Sequence, residues 1–196
     1  MLTVNREEIE EGVRRKLSSK RFQHTQRVTE MALKLAGIHK INSNKVWLAA
    51  MLHDYAKDTP IPELMELLTE SGYHFHPAEL SEKALLHAPA AAILAETELG
   101  ITDKDILDAI RYHTTGYPGM GKMAKIIYIA DAAESGRRYQ GVEKIRETAS
   151  RDLRKALLIS LQSTIGHLLE AQAVIHPVSV EARNYFLNDT YRLNIK

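Results

Sequence analysis

The chain has 196 residues, 44% of them hydrophobic and 26% charged, enough for one domain to bury a core without covalent staples. Lys and Arg number 26 against 25 Asp and Glu, a net charge of +1, which excludes a surface built to wrap nucleic acid. Cysteine is absent, so disulfides, thiolate metal sites and cysteine nucleophiles are excluded too.

Asn5 with Glu8 three residues on predicts a capped first helix reaching about Leu17. A second is predicted from Lys20 to Ala36, with Phe22, His24, Val28, Met31 and Leu35 inward and Gly37 as its stop. A third starts at Asn42 or Ser43 and carries Val46, Ala49, Ala50 and His53 on one face. Thr59-Pro60-Ile61-Pro62 opens a fourth, which ends at Gly72. Pro77 opens a fifth, and Pro89 then forces a break that puts His87 at a helix junction.

A sixth helix is predicted over 90–99. Thr102 with Asp105 caps a seventh, which carries Ile106, Ile110 and His113. Met123, Ile127, Asp131 and Glu134 share one face of an eighth. A short helix near Val142, a long one from Asp152 to Ala171 and a last one opened by Pro177 complete the series. No sustained period-two alternation occurs, so the expectation is one all-α domain over 1–196. The opening MLTVNREEIEEG is acidic and has no apolar core segment, unlike a secretory signal. The longest apolar stretch, Val46 to Leu52, is too short to span a bilayer. A soluble, cytoplasmic chain with no membrane and no nucleic-acid partner is expected.

The polar residues on apolar faces carry the chemistry. His24 shares its face with Val28, Met31 and Leu35; a histidine so placed is in most proteins a hydrogen-bonded core residue. Asp54, beside His53 near a helix end, opposes the helix dipole. Asp131, in KIIYIADAAESG, faces inward among small residues and needs a cation, either an Arg or Lys partner or a metal. Together these are two imidazoles and two carboxylates, a nitrogen and oxygen donor set suited to iron, manganese, zinc, cobalt or nickel. Four ligands on a six-coordinate ion leave room for water and substrate. Lys57, His87, His113, Thr114 and the Arg137-Arg138 pair add cationic and donor groups, which point to a polyanionic substrate, phosphate first. The Gly116 to Gly121 loop lacks the Lys-Ser/Thr of a P-loop.

The order His24, His53-Asp54, His87, His113, Asp131 on a helical chain resembles the HD metal-dependent phosphohydrolase superfamily. The stretches RFQHTQRVTEMALKLA, AAMLHDYAKD, LLHAPAAAILA, DAIRYHTTGYPGM, KIIYIADAAESGRRY and IHPVSVEARNYF are similar to the YqeK family, from about Arg21 to Asn188. The resemblance implies an HD/PDEase-like helical bundle with a metal-site core over about 20–135 and helices over 142–190 packed on it. It implies symmetrical hydrolysis of diadenosine tetraphosphate to two ADP, an iron site and a homodimer. Carried over by position, the metal ligands are His24, His53, Asp54 and Asp131. Asp54, Lys57, His87 and His113 are the implied catalytic groups. The implied substrate contacts are His24, Lys57, His87, His113, Thr114, Arg137 and the segment Val174, Ile175, His176, Pro177, Val178, Ser179.

One metal is the reading, with His87 and His113 available to complete a second site. Asp54 is placed to be both ligand and proton acceptor for the attacking water, and His87 or His113 to donate a proton to departing ADP. Two alternatives stand beside this. One is the same metal site acting on another nucleotide: a nucleoside monophosphate, a guanosine alarmone or a cyclic dinucleotide. The other is a nucleotide sensor without turnover.

Overall fold

Side-chain caps set most helix starts, and apolar faces decide how the helices meet. The computed structural model describes residues 5–194, with side chains through residue 188. Among the described residues there are eleven α-helices, one short 3-10 helix and no strand. Helix α1 (Arg6–Lys16) begins at Asn5, whose side chain accepts from the Glu7 N–H. Helices α2 (Ser19–His39) and α3 (Ser43–Leu52) begin at Ser18 and Asn42, which cap in the same way.

Gly37 is not the stop of α2. The helix runs on to His39 and is turned off by Lys40, whose φ of 56° lies in the left-handed region. Left-handed backbone makes this kind of stop, and a glycine in ordinary helical conformation carries no such signal.

Helix α4 (Ile61–Glu70) has Pro62 in its first turn and ends before Gly72, at φ 71°. Helix α5 (Pro77–Ser81) is only five residues long, shorter than the expected run to Pro89. The Glu82 side chain accepts from the Ala84 N–H and starts a separate 3-10 turn, Lys83–Leu86. That turn leads directly into α6 (His87–Thr97), three residues earlier than expected. Pro89 therefore sits inside the first turn of α6, where its missing N–H costs no hydrogen bond. Asp103, not Thr102, caps α7 (Lys104–Arg111), because its carboxylate reaches the N–H groups of Asp105 and Ile106. Helices α8 (Lys122–Ala133), α9 (Val142–Ala149), α10 (Leu153–Glu170) and α11 (Pro177–Asn194) follow.

α2 packs along α3 and α8, while α7 contacts α3, α6 and α8. α10 covers α8 and α9 and carries α11. Leu52, Leu86, Ile110, Ile126, Ile127 and Leu161 are fully buried at the centre. Each such side chain stabilises the fold by about 1.5–3 kcal/mol. Ala90, Ala91 and Ala95 on α6, with Ala130 and Ala133 on α8, let backbones approach closely. The inward ends of α2, α3, α7 and α8 then bring their polar side chains to one place. No helix is long and apolar enough to cross a membrane.

Candidate metal centre

Three of the central histidines stand at helix ends, and each is held by its own chain. Helix C-termini leave carbonyls without intrahelical partners. His53 Nδ1 donates to the Ala50 carbonyl at 2.6 Å, at the end of α3. His113 Nδ1 donates to Ile110 at 2.8 Å, just past the end of α7. His87 Nδ1 donates to Ala84 at 2.5 Å, at the end of the 3-10 turn. The spacing is three residues each time. His24, in the middle of α2, is held differently: its Nδ1 lies 3.2 Å from Glu134 Oε1, across the fold. In all four rings Nδ1 carries the hydrogen, so Nε2 is the atom left to take a proton or an ion.

Those four Nε2 atoms face two carboxylates. Asp54 Oδ2 is 3.3 Å from His53 Nε2 and 3.8 Å from His24 Nε2. Its other oxygen is 3.2 Å from His87 Nε2 and 3.7 Å from His113 Nε2. Asp131 Oδ1 is 3.0 Å from His24 Nε2. The Nε2 atoms of His87 and His113 are 3.1 Å apart. Yet the buried Nε2 atoms of His24 and His53 make no hydrogen bond.

Two overlapping sets have ligand atoms within 4.8 Å of one another: His24, His53 and Asp131, and His53, Asp54 and His113. Ligands at about 2.0–2.2 Å from one ion lie at most about 4.4 Å apart, and the separations of 3.0–3.8 Å above fall inside that limit. The residues present fit a divalent or trivalent cation with nitrogen and oxygen donors.

The electrostatics favour positive charge at this point. Burial opposes protonation of His53, but the negative charges of Asp54 and Asp131 outweigh it and raise its pKa. Burial also opposes ionisation of Asp54, yet the charge on His53 and the contacts with His113 and His87 hold it well below the usual range. Asp131 is likewise held down, against burial, by His24 and the charges of His53 and His113. His87 is pushed down to about 4, by burial first and by the charges of His113 and Lys57. Burial also lowers Lys57, whose Nζ lies 3.3 Å from His87 Nδ1.

Arginines complete the shell. Arg21 donates to Asp54 Oδ2 at 2.9 Å, and Arg137 to Asp131 Oδ1 at 2.7 Å. Arg27 donates to Glu134 at 2.6 Å, and the Gly136 N–H also bonds that carboxylate, which fixes the anchor of His24. Arg21, Arg27 and Glu134 were not among the residues expected at the site. A signal existed: Arg21 and Arg27 stand three residues either side of His24, and Glu134 three after Asp131, on the same faces.

Two cavities border the cluster, and another meets one of them at Thr114. One of about 470 Å³ reaches Asp131, His113 and Arg137 and is walled by Tyr128, Tyr139 and α10. One of about 230 Å³ lies between Tyr73, His76, Tyr112, His176 and Val178. Thr114 borders both. A third, of about 430 Å³, lies beside Lys57 and His87. Within the 174–179 segment, His176 and Val178 thus face a cavity. Val174 and Pro177 are exposed, Ile175 is half-buried and Ser179 is buried.

Residues 21–136 match the HD domain family. A Bacillus subtilis (strain 168) protein named symmetrical bis(5'-nucleosyl)-tetraphosphatase is 37% identical over 94% of this chain and 99% of its own. A Staphylococcus aureus protein of the same name is 34% identical over 93% of this chain and 95% of its own. The crystal structure of a predicted HD superfamily hydrolase involved in NAD metabolism, from Clostridium acetobutylicum, superposes with a TM-score of 0.91 at 38% identity, covering 94% of this chain and 98% of that one. With more than half of its length matched and full-length relatives on either side, the chain belongs to the HD domain family.

Proposed function

We propose that this chain is a metal-dependent hydrolase that cleaves diadenosine tetraphosphate between its second and third phosphates, giving two ADP. The observation that carries the reading is the convergence of four Nε2 atoms and two carboxylates beneath cavities large enough for nucleotide. Relatives named for this activity over nearly their whole length support it.

His24, His53, Asp54 and Asp131 hold the ion, which is iron in this reading. A metal ion bound there acidifies a water and draws charge from a phosphoryl oxygen. Asp54 has one oxygen toward His24 and His53 and the other toward His87, so it can hold the ion and accept a proton from the water. Lys57, Arg137 and Thr114 bind the phosphate chain and offset charge gathering on the leaving oxygen. Burial keeps His87 neutral in the resting site. Phosphate charge beside it raises its affinity for a proton, so the proton that Asp54 takes from the water crosses 3.2 Å to His87 Nε2 and passes from there to departing ADP. His176 and Val178 help wall the nucleoside. The protein acts as a single domain, with a metal-holding core over about 20–135 and helices over 142–190 packed on it. It forms a homodimer in the cytoplasm and takes neither nucleic acid nor membrane as a partner.

Product analysis tests the reading. Metal-loaded protein incubated with diadenosine tetraphosphate yields ADP alone; AMP with ATP, or no cleavage, overturns it.

A further inference from the structure

A substrate with two identical ends, cut at its middle, needs two nucleoside seats at matched reach from the reacting phosphorus. Two of the cavities share Thr114 as a lining residue, and the larger also reaches His113. The smaller is closed by the His176 and Val178 end of the segment already assigned to one nucleoside. The larger is lined by Thr114 and Arg137, which bind the phosphate chain in that reading, and has no nucleoside assigned to it.

Resting on the dinucleotide reading above, we propose that the cavity between α8 and α10 is the seat of the second nucleoside. Asp131 and Arg137 line it beside the cluster, so a phosphate chain crossing the cluster meets it. Arg137 is braced there twice, by the Asp131 carboxylate and by its backbone carbonyl at 2.9 Å.

The walls carry the chemistry that bases and riboses use. Tyr139 presents a ring at 38% exposure, fixed by a hydrogen bond from its hydroxyl to the Ala132 carbonyl at 2.8 Å. A tethered, open aromatic face is a stacking platform that tolerates any base. Tyr128 forms the floor, and its hydroxyl engages Thr164. Ser163, Thr164 and His167, on successive positions of one face of α10, supply donors and acceptors for ribose or base edges. The volume of about 470 Å³ lies within the range of about 300–1,000 Å³ usual for small-molecule sites. The cavity beside Lys57 offers no Tyr, Phe or Trp ring; Lys83, Glu82, Ile61 and Leu64 line it with His87.

Counting bound ADP tests the proposal independently of turnover. Calorimetric titration of metal-loaded protein with ADP gives two ADP per chain, and Thr164→Trp, which fills the cavity, gives one. One ADP per chain in the unaltered protein overturns the proposal. Should Thr164→Trp lose its helical circular dichroism, Tyr139→Ala, at the surface, replaces it. There KM for diadenosine tetraphosphate rises about tenfold, as loss of one base stack predicts. KM for adenosine 5'-tetraphosphate, which has one nucleoside, stays within about twofold. An equal change for both compounds, or for neither, overturns the proposal. If the unaltered protein cleaves no dinucleotide, the functional reading falls, and the ADP count still decides whether the second seat exists.

Discussion

Two sets of histidines use the same ring in opposite ways. At the metal centre His53, His87 and His113 donate from Nδ1 to a carbonyl three residues back and leave Nε2 free to bind. At the base of the smaller cavity His76 and His176 each precede a proline and accept at Nδ1 from the N–H two residues on, Ala78 and Val178. The first set closes helix C-termini and the second opens helix N-termini. In the second set the ring does the work usually given to Asp or Ser, and the two rings pack at 4.6 Å between centroids. The backbone group that engages Nδ1 therefore separates a ring that faces the site from a cap. Burial does not, since His176 is buried like His53, His87 and His113.

Removing a carboxylate tests the first set most severely. Asp54→Ala and Asp131→Ala are expected to lose turnover to background and to lose bound metal, while helical circular dichroism survives; metal analysis alongside activity checks this. Full activity in metal-stripped Asp54→Ala would break the distinction outright. Glu134→Gln is milder. It loosens the anchor that reaches His24 Nδ1 from across the fold, and metal affinity should fall about 10–100-fold, measured by competition with a chelator. An unchanged affinity would show that His24 needs no such partner.

The sets also differ in acid. His87 has an ordinary pKa of 6.5 when unfolded and about 4 when folded, so in that window the unfolded chain binds the extra proton. The stabilisation is present above pH 6.5 and is lost as pH falls toward 4, by up to about 3 kcal/mol. Urea unfolding of metal-free protein across that range should show the slope, and His87→Asn should flatten it. The smallest effect belongs to the caps. His76→Ala should cost about 1 kcal/mol in thermal or urea unfolding and leave metal content untouched. A loss of metal in that variant would erase the line between a ring that faces the site and a cap.

The helical class and the gathering of His24, His53, Asp54 and Asp131 were legible because each stands at helical spacing on an apolar face. A buried polar group there has few reasons to exist. Helix ends were harder to read. Gly37 carries the residue type of a stop without the left-handed backbone, and Lys40 carries the backbone without the residue type. Thr102 and Asp103 are both capping residues one position apart, and only the chain's path decides between them. Arg21 and Arg27 resemble the surface charges of any amphipathic helix; their role depends on Asp54 and Glu134, more than 30 and 100 residues away. The wall made by Ser163, Thr164 and His167 was hidden for the same reason. Three modest polar residues on a long helix become a surface only when α8 is laid against them.

The three-residue tether has a consequence for how the site comes into being. His53, His87 and His113 are oriented by contacts within a single turn, so each ring can take its attitude as soon as its own helix end forms. His24 waits on a carboxylate 110 positions further along, at the end of α8. Completion of the site is thereby tied to the docking of α8 on α2, which also delivers Asp131, and a nascent chain that has not reached residue 134 holds three poised rings around an unfinished site.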